Sequence, residues 1–343
     1  MESGVRVRCF LSWMSALLLG LAIWGNECAA GPEKGAKNRI RVPSPLRESL
    51  VEYRNTVSTR SFRKRADLTY NPYYAMELHV VPAYAFGPRV RLTFDLLMKR
   101  EFTRSDTTTK QGELTVEDVF LKTMLPKAFT IPGVEIRGDP SLRLVVPTSK
   151  ESKARTLLLG VRPSLLLSRR FKVFNGLTIN YLFEVQKNFH DSTTMQTERP
   201  VIMSTPGSIR SLESFSNLGE RNVSWTLING LVLKLRFKKV YTALIGMKMI
   251  HGFLYPLKTE DDRISHSPMP ETQVRYLMVY TGELAYRLYP GIKLVLGFLT
   301  KNYQLADNAT YEPPFFNRYT ALFFDVRVNV PNLTRRLSLR GKK

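Results

Sequence analysis

Residues 88 to 102 read PRVRLTFDLLMKREF, and their alternation decides the fold. Val90, Leu92, Phe94, Leu96 and Met98 take every second position, while Arg89, Arg91, Thr93, Asp95 and Lys99 fill most places between them. A strand turns successive side chains to opposite faces, so this stretch has one greasy face and one charged face. At helical spacing the same residues would scatter around the axis. Trp225 to Phe237 repeats the rule: Trp225, Leu227, Leu231, Leu233, Leu235 and Phe237 share a face interrupted by Asn229, with Lys234 and Arg236 opposite.

Outward from these two stretches the same rhythm covers most of the chain. Tyr74 to Phe86 reaches the Pro88 stretch through a tight turn at Gly87-Pro88. Lys153 to Leu167 sets Leu157, Leu159, Val161, Leu165 and Leu167 against Arg162, Ser164 and Ser168. Asn175-Gly176 is a hairpin signal that opens an alternating run from Leu177 to Phe189, with Glu184 on its polar face. Lys238-Lys239 leads into Tyr241 to Phe253, with Lys248 inside. Tyr276 to Leu288 is opposed by Arg275, Glu283 and Arg287, and Tyr289-Pro290-Gly291 turns into Ile292 to Phe298. Leu322 to Val330 faces away from Asp325 and Arg327. Glu113 to Leu125 fits a helix or a weak strand, and Val134 to Val146 reads as a strand pair or a bulged strand broken at Gly138-Asp139-Pro140.

The N-terminus reads differently. Arg6 and Arg8 precede an apolar run from Phe10 to Trp24 and small residues at Cys28-Ala29-Ala30, the layout of a secretory signal peptide cut before Gly31. The apolar core falls short of the roughly 20 residues of a spanning helix. Both cysteines, Cys9 and Cys28, lie in this segment, so the exported chain has no disulfide to staple it. Residues 31–66 form a basic periplasmic tail or plug, or hold a first strand somewhere in 47–72; Ser44-Pro45 could also cap a short helix through Leu46, Leu50, Val51 and Tyr53. The formal charge is +22 and the pI about 10.1.

Connections alternate in length: short at Gly87-Pro88, Asn175-Gly176, Lys238-Lys239 and Tyr289-Pro290-Gly291, long at 103–112, 190–221, 256–272 and 304–316. Tyr and Phe gather near the strand ends, as at two membrane interfaces. The expected fold is all-β, a transmembrane antiparallel up-and-down barrel of about 12 strands (10–14 by parity), with short periplasmic turns and long extracellular loops. It occupies 67–330, followed by a basic tail at 331–343. A soluble sandwich alternates too, so polarity alone does not choose; strand length, the signal and loop asymmetry do.

From Tyr74 to Val330 this rhythm, with turns such as Pro147-Thr148-Ser149-Lys150, resembles bacterial outer-membrane β-barrel proteins, most closely the uncharacterised barrels of predatory and social Gram-negative bacteria. The resemblance implies insertion into outer-membrane lipid by the barrel-assembly machinery. The chain departs from it at the end, where Val330 precedes Arg335-Arg336 rather than closing on an aromatic residue; Phe323-Phe324 are the nearest assembly-signal candidates.

The inward positions expected to be basic are Arg91, Lys99, Arg143, Arg162, Lys234, Arg236, Lys248, Arg275, Arg287, Lys293 and Arg327, against Asp95, Glu184, Glu283 and Asp325. Such a lumen favours small anions, unless the charges only brace the barrel as ion pairs. A porin-like channel is the leading expectation, with a non-transporting structural or surface-interaction barrel as the alternative. His190-Asp191-Ser192 has the His-x-Ser spacing of outer-membrane phospholipases without the Asn-Gly that follows there, which keeps a lipid hydrolase as a remote reading. Asp261, Asp262 and His266 echo the acidic mouth of outer-membrane proteases without a second acidic cluster. The chain is therefore read as a non-enzyme with no metal, no cofactor and no nucleic-acid partner.

The face assignment predicts that Leu233→Arg blocks membrane assembly far more than Lys234→Ala. A cation facing lipid near the midplane costs about 2–4 kcal/mol, whereas a lumen change mostly tunes its contents. Equal heat-modifiable gel mobility for both variants would refute the assignment.

Overall fold

The computed structural model describes residues 48–62, 73–103, 112–173, 176–198, 215–238, 240–256, 273–303, 313–317 and 319–333. The expected signal peptide and the basic tail from residue 334 lie outside them, as do Asp261, Asp262 and His266. In chain order the strands are β1 (Leu50–Ser58), β2 (Tyr74–Val81), β3 (Ala83–Phe86), β4 (Val90–Glu101), β5 (Leu114–Val116), β6 (Val119–Met124), β7 (Phe129–Ile131) and β8 (Ile136–Val146). A short helix, α1 (Lys150–Ala154), precedes β9 (Leu157–Phe171), β10 (Leu177–His190), β11 (Thr194–Glu198) and β12 (Phe215–Arg221). The rest are β13 (Val223–Phe237), β14 (Tyr241–Leu254), β15 (Val274–Tyr289), β16 (Ile292–Tyr303) and β17 (Ala321–Asn329).

These strands make a closed antiparallel barrel of twelve staves. β2 and β3 are one stave interrupted at Pro82, and β5, β6 and β7 are another; β11 and β12 pair as a separate two-stranded sheet. Closure comes from β1, which pairs with β2 on one side and with β17 on the other, Tyr53 opposite Val326 and Arg54 opposite Asp325. A helix through Leu46 to Tyr53 is thus overturned: Leu50 to Ser58 is the first stave, because its backbone must satisfy the free edges of both β2 and β17. The 113–125 segment is strand rather than helix, and 136–146 runs unbroken through Gly138-Asp139-Pro140.

Proline falls where the neighbouring stave does not ask for its missing N–H. Pro82 accepts from Phe94 N at 3.1 Å and Pro140 accepts from Leu125 N at 3.0 Å, both at interruptions between strand pieces.

Staves β9, β13 and β15 have 15, 15 and 16 residues, long enough to cross a hydrocarbon layer at a tilt. The two faces are inverted relative to a water-soluble protein. Outward Ile245 and Leu296 are 63% and 62% exposed, while inward Asp325 and Glu184 are 0% and 7% exposed. Aromatic rings gather at both ends of the outer wall. Phe237 stacks on Tyr241, which meets Tyr286, at the short-turn end. At the other end outward Lys187 donates to Ser224 Oγ and sits 4.8 Å from the Trp225 ring and 5.1 Å from Tyr255. A cation so placed snorkels toward the interface.

Two glycines allow aromatic side chains to lie flat on the sheet. A Cβ on outward Gly282 would sit 2.3 Å from the Phe298 ring, and one on inward Gly297 would sit 2.4 Å from Phe323 and 2.5 Å from the Gly282 carbonyl. Overpacking there costs about 1–3 kcal/mol. Gly297→Val is expected to lower the temperature at which the heat-modifiable band converts, and Phe323→Ala in the same chain to restore part of the loss. Identical conversion temperatures for wild type and Gly297→Val would show that the space is free.

Candidate functional site: the charged lumen

Register fixes the inner face, because cross-strand partners share a side of the sheet. Arg91, Lys99, Arg143, Arg162, Lys234, Arg236, Lys248, Arg275, Arg287, Lys293 and Arg327 all lie on the face of buried Asp325 and Glu184. Glu52, Arg54, Glu77, Lys122 and Asp139 join them there. Glu52, Arg54, Lys122 and Asp139 lie in segments whose pattern admits more than one reading, whereas Glu77 lies in the plainly alternating Tyr74–Phe86 stretch and is not singled out by its pattern. The signal for Glu52 and Arg54 was present in the alternation Val51, Tyr53, Val57.

Around the closure seam the charges are neutralised. Arg54 grips Asp325 with two hydrogen bonds, Nε to Oδ1 at 2.8 Å and Nη2 to Oδ2 at 3.0 Å, and donates to Glu52 at 2.9 Å. Arg327 donates to both oxygens of Glu283 at 2.9 and 3.0 Å and to Asp325 at 2.7 Å, and pairs with Glu52 at 2.7 Å. Two guanidiniums and three carboxylates on β1, β15 and β17 therefore form one network. The Arg54 guanidinium also lies 4.3 Å over the Phe323 ring. Next to the seam His79 Nε2 meets Asp95 Oδ1 at 2.5 Å.

Elsewhere cations stand directly opposite cations. Lys122 pairs in register with Arg143, and Arg143 with Arg162, across β6, β8 and β9. Of this rung Arg162 has polar partners, Gln186 at 2.5 Å and Glu184 at 3.7 Å, while Arg143 lies over Phe120. A second rung runs Arg287, Lys293, Arg327 across β15, β16 and β17, with Lys234 and Arg236 close by on β13. Arg327 belongs to the seam network, but among the described residues the side chains of Lys234, Arg236, Arg287 and Lys293 make no hydrogen bond or ion pair. Like charges directly opposed in a sheet are destabilising.

The hydrolase candidates are held apart. His190 Nδ1 is taken up by the Arg155 carbonyl at 2.6 Å, and Ser192 Oγ meets Thr194 Oγ1 at 3.4 Å, so neither side chain engages the other. Among the described residues no group of three or more His, Cys, Asp and Glu is arranged to hold a metal ion.

No family model matches the chain, and no curated protein matches it either. Among solved structures, the crystal structure of an outer membrane channel from Pseudomonas putida F1 superposes with a TM-score of 0.50 at 10% identity, covering 88% of this chain and 99% of that one. The fold is that of an outer-membrane barrel. LpxR from Salmonella typhimurium is also similar, with a TM-score of 0.35 at 7% identity over 81% of this chain and 99% of its own.

The seam network yields a direct test. Removing one partner of a buried ion pair costs about 3–5 kcal/mol, because the remaining charge is left without compensation. Asp325→Ala removes the one carboxylate that both guanidiniums share, leaving Arg54 with Glu52 and Arg327 with Glu283 and Glu52, and is expected to lower the urea midpoint of the refolded barrel. A wild-type midpoint would mean that the network adds nothing to closure.

Proposed function

We propose that the chain resides in the outer membrane of a Gram-negative bacterium and passes small anionic solutes, with the short turns in the periplasm. The two rungs of directly opposed lumen cations carry this reading. A bare cation in a confined, low-dielectric passage costs several kcal/mol unless an anion accompanies it. Fixed positive charge along a narrow wall therefore draws anions in and keeps cations out. The similarity to an outer membrane channel agrees with passage, and it supports the barrel rather than the solute. The lipid-facing wall takes outer-membrane lipid as its partner, and insertion falls to the barrel-assembly machinery. A chain whose His190 and Ser192 are each engaged elsewhere is read as a non-enzyme. The seam network, which braces one wall with ion pairs, favours the competing reading of a non-transporting barrel.

Planar-bilayer recording of the refolded protein separates the two. The expected reversal potential in a potassium chloride gradient shows chloride preference. Neutralising Lys234, Arg236 and Lys248 together is expected to reduce that preference with the fold intact. Raising the salt weakens it as well, since the Debye length falls from about 10 Å at 0.1 M to about 3 Å at 1 M. A silent barrel, a cation preference or unchanged selectivity in the triple variant would defeat the transport reading.

A further inference from the structure

We infer that Lys234, Arg236, Arg287 and Lys293 form a binding site for a multivalent oxyanion of the phosphate class at the short-turn end of the lumen, an inference that rests on the anion passage proposed above. Arg287 and Lys293 are directly opposed across β15 and β16, a few residues from the turn at Pro290-Gly291. Lys234 and Arg236 lie near the end of β13, which closes at Phe237. Lys293 has Lys234, Arg287, Arg236 and Arg327 as its electrostatic neighbours, all cations.

The floor between the two pairs is short. Arg236 is paired with Thr242, and Thr242 with Ala285, so β14 and β15 place a hydroxyl and a methyl where larger residues would hold the cations apart. The nearest carboxylate, Glu283, is on the rung of Leu244 and Lys234, but both of its oxygens are bound by the Arg327 guanidinium. It also faces Lys234, but one carboxylate shared with Arg327 does not balance four cations. Arg236, Arg287 and Lys293 are exposed, so the groups are open to a solute.

Chloride would occupy such a place weakly. A tetrahedral oxyanion carrying two or more charges presents several acceptors, which two forked guanidiniums and two ammoniums can share, and Thr242 Oγ1 adds a neutral donor. The clustering has a stability signature as well. Cations that serve as braces destabilise the barrel when removed, whereas cations that repel one another while awaiting an anion stabilise it when removed.

The experiment is calorimetric titration of the refolded, detergent-solubilised barrel with inorganic phosphate, alongside bilayer recording. Wild type is expected to bind phosphate saturably, and Arg287→Gln with Lys293→Gln to weaken binding at least tenfold while raising the unfolding temperature. Should the double variant fail to fold, Lys293→Gln and Arg236→Gln are read singly, each expected to weaken binding. Phosphate binding that survives these substitutions, or variants that unfold earlier than wild type, overturn the site. A barrel that conducts chloride selectively yet neither binds phosphate nor is blocked by it overturns the site and leaves the channel standing. A barrel that is silent in bilayers but binds phosphate through these side chains supports the site and removes the channel.

Discussion

Twelve staves close into a barrel only because the first one finds the last, and that pairing is made by a short strand with charged residues on its inner side. β1 offers Glu52 and Arg54 to the lumen, and β17 answers with Asp325 and Arg327. Opposed in register, each acid meets a base from the other strand, so the correct register is also the neutralised one. Sliding β1 by one residue would turn these charges to lipid and Tyr53 and Val57 to the lumen. Arg327 extends the weld to Glu283 on β15, past the intervening β16. There Gly297, opposite both Glu283 and Phe323, has no side chain to obstruct the contact. The same missing side chain that admits the Phe323 ring thus opens the path for an ion pair across three staves.

The period-two pattern made the barrel legible, because every long stave repeats the face rule seen at 88–102. The alternation alone does not say which face meets water, since a soluble sandwich and a membrane barrel share it; strand length, the signal and loop asymmetry point the greasy side outward. Inverted burial agrees: the carboxylates are inside and the leucines outside. The failures are local and physical. Leu46, Leu50, Val51 and Tyr53 after Ser44-Pro45 satisfy a helical reading, and only the two free edges flanking β1 decide for a strand. At Gly138-Asp139-Pro140 turn chemistry predicted a break, yet β8 continues because its neighbour is interrupted opposite the proline.

The charges show a further limit of reading from one strand at a time. Counting cations gives an excess but not its distribution, which depends on partners that are distant in the chain. Arg91 is engaged by Glu48 and Arg327 by three carboxylates, so neither adds to a bare positive field, although both looked equivalent to Lys293 in the sequence. The excess that matters is what remains after pairing. It falls on the two cationic rungs and not on the seam.

That separation has a consequence for the lumen as a whole. A passage lined by ion pairs is electrically quiet, because each guanidinium is screened by a carboxylate within about 3 Å and the field of a close pair dies away quickly. Opposed like charges do the reverse: the fields of Arg287 and Lys293 add at the lumen axis. With the neutralised seam on β1 and β17 and the bare cations on β13, β15 and β16, the potential at the short-turn end is positive and lopsided. On the proposed anion route, such a field would pull an entering anion toward one wall instead of holding it at the centre. The seam keeps the barrel closed, and the neighbouring staves are thereby free to carry charges that contribute nothing to closure.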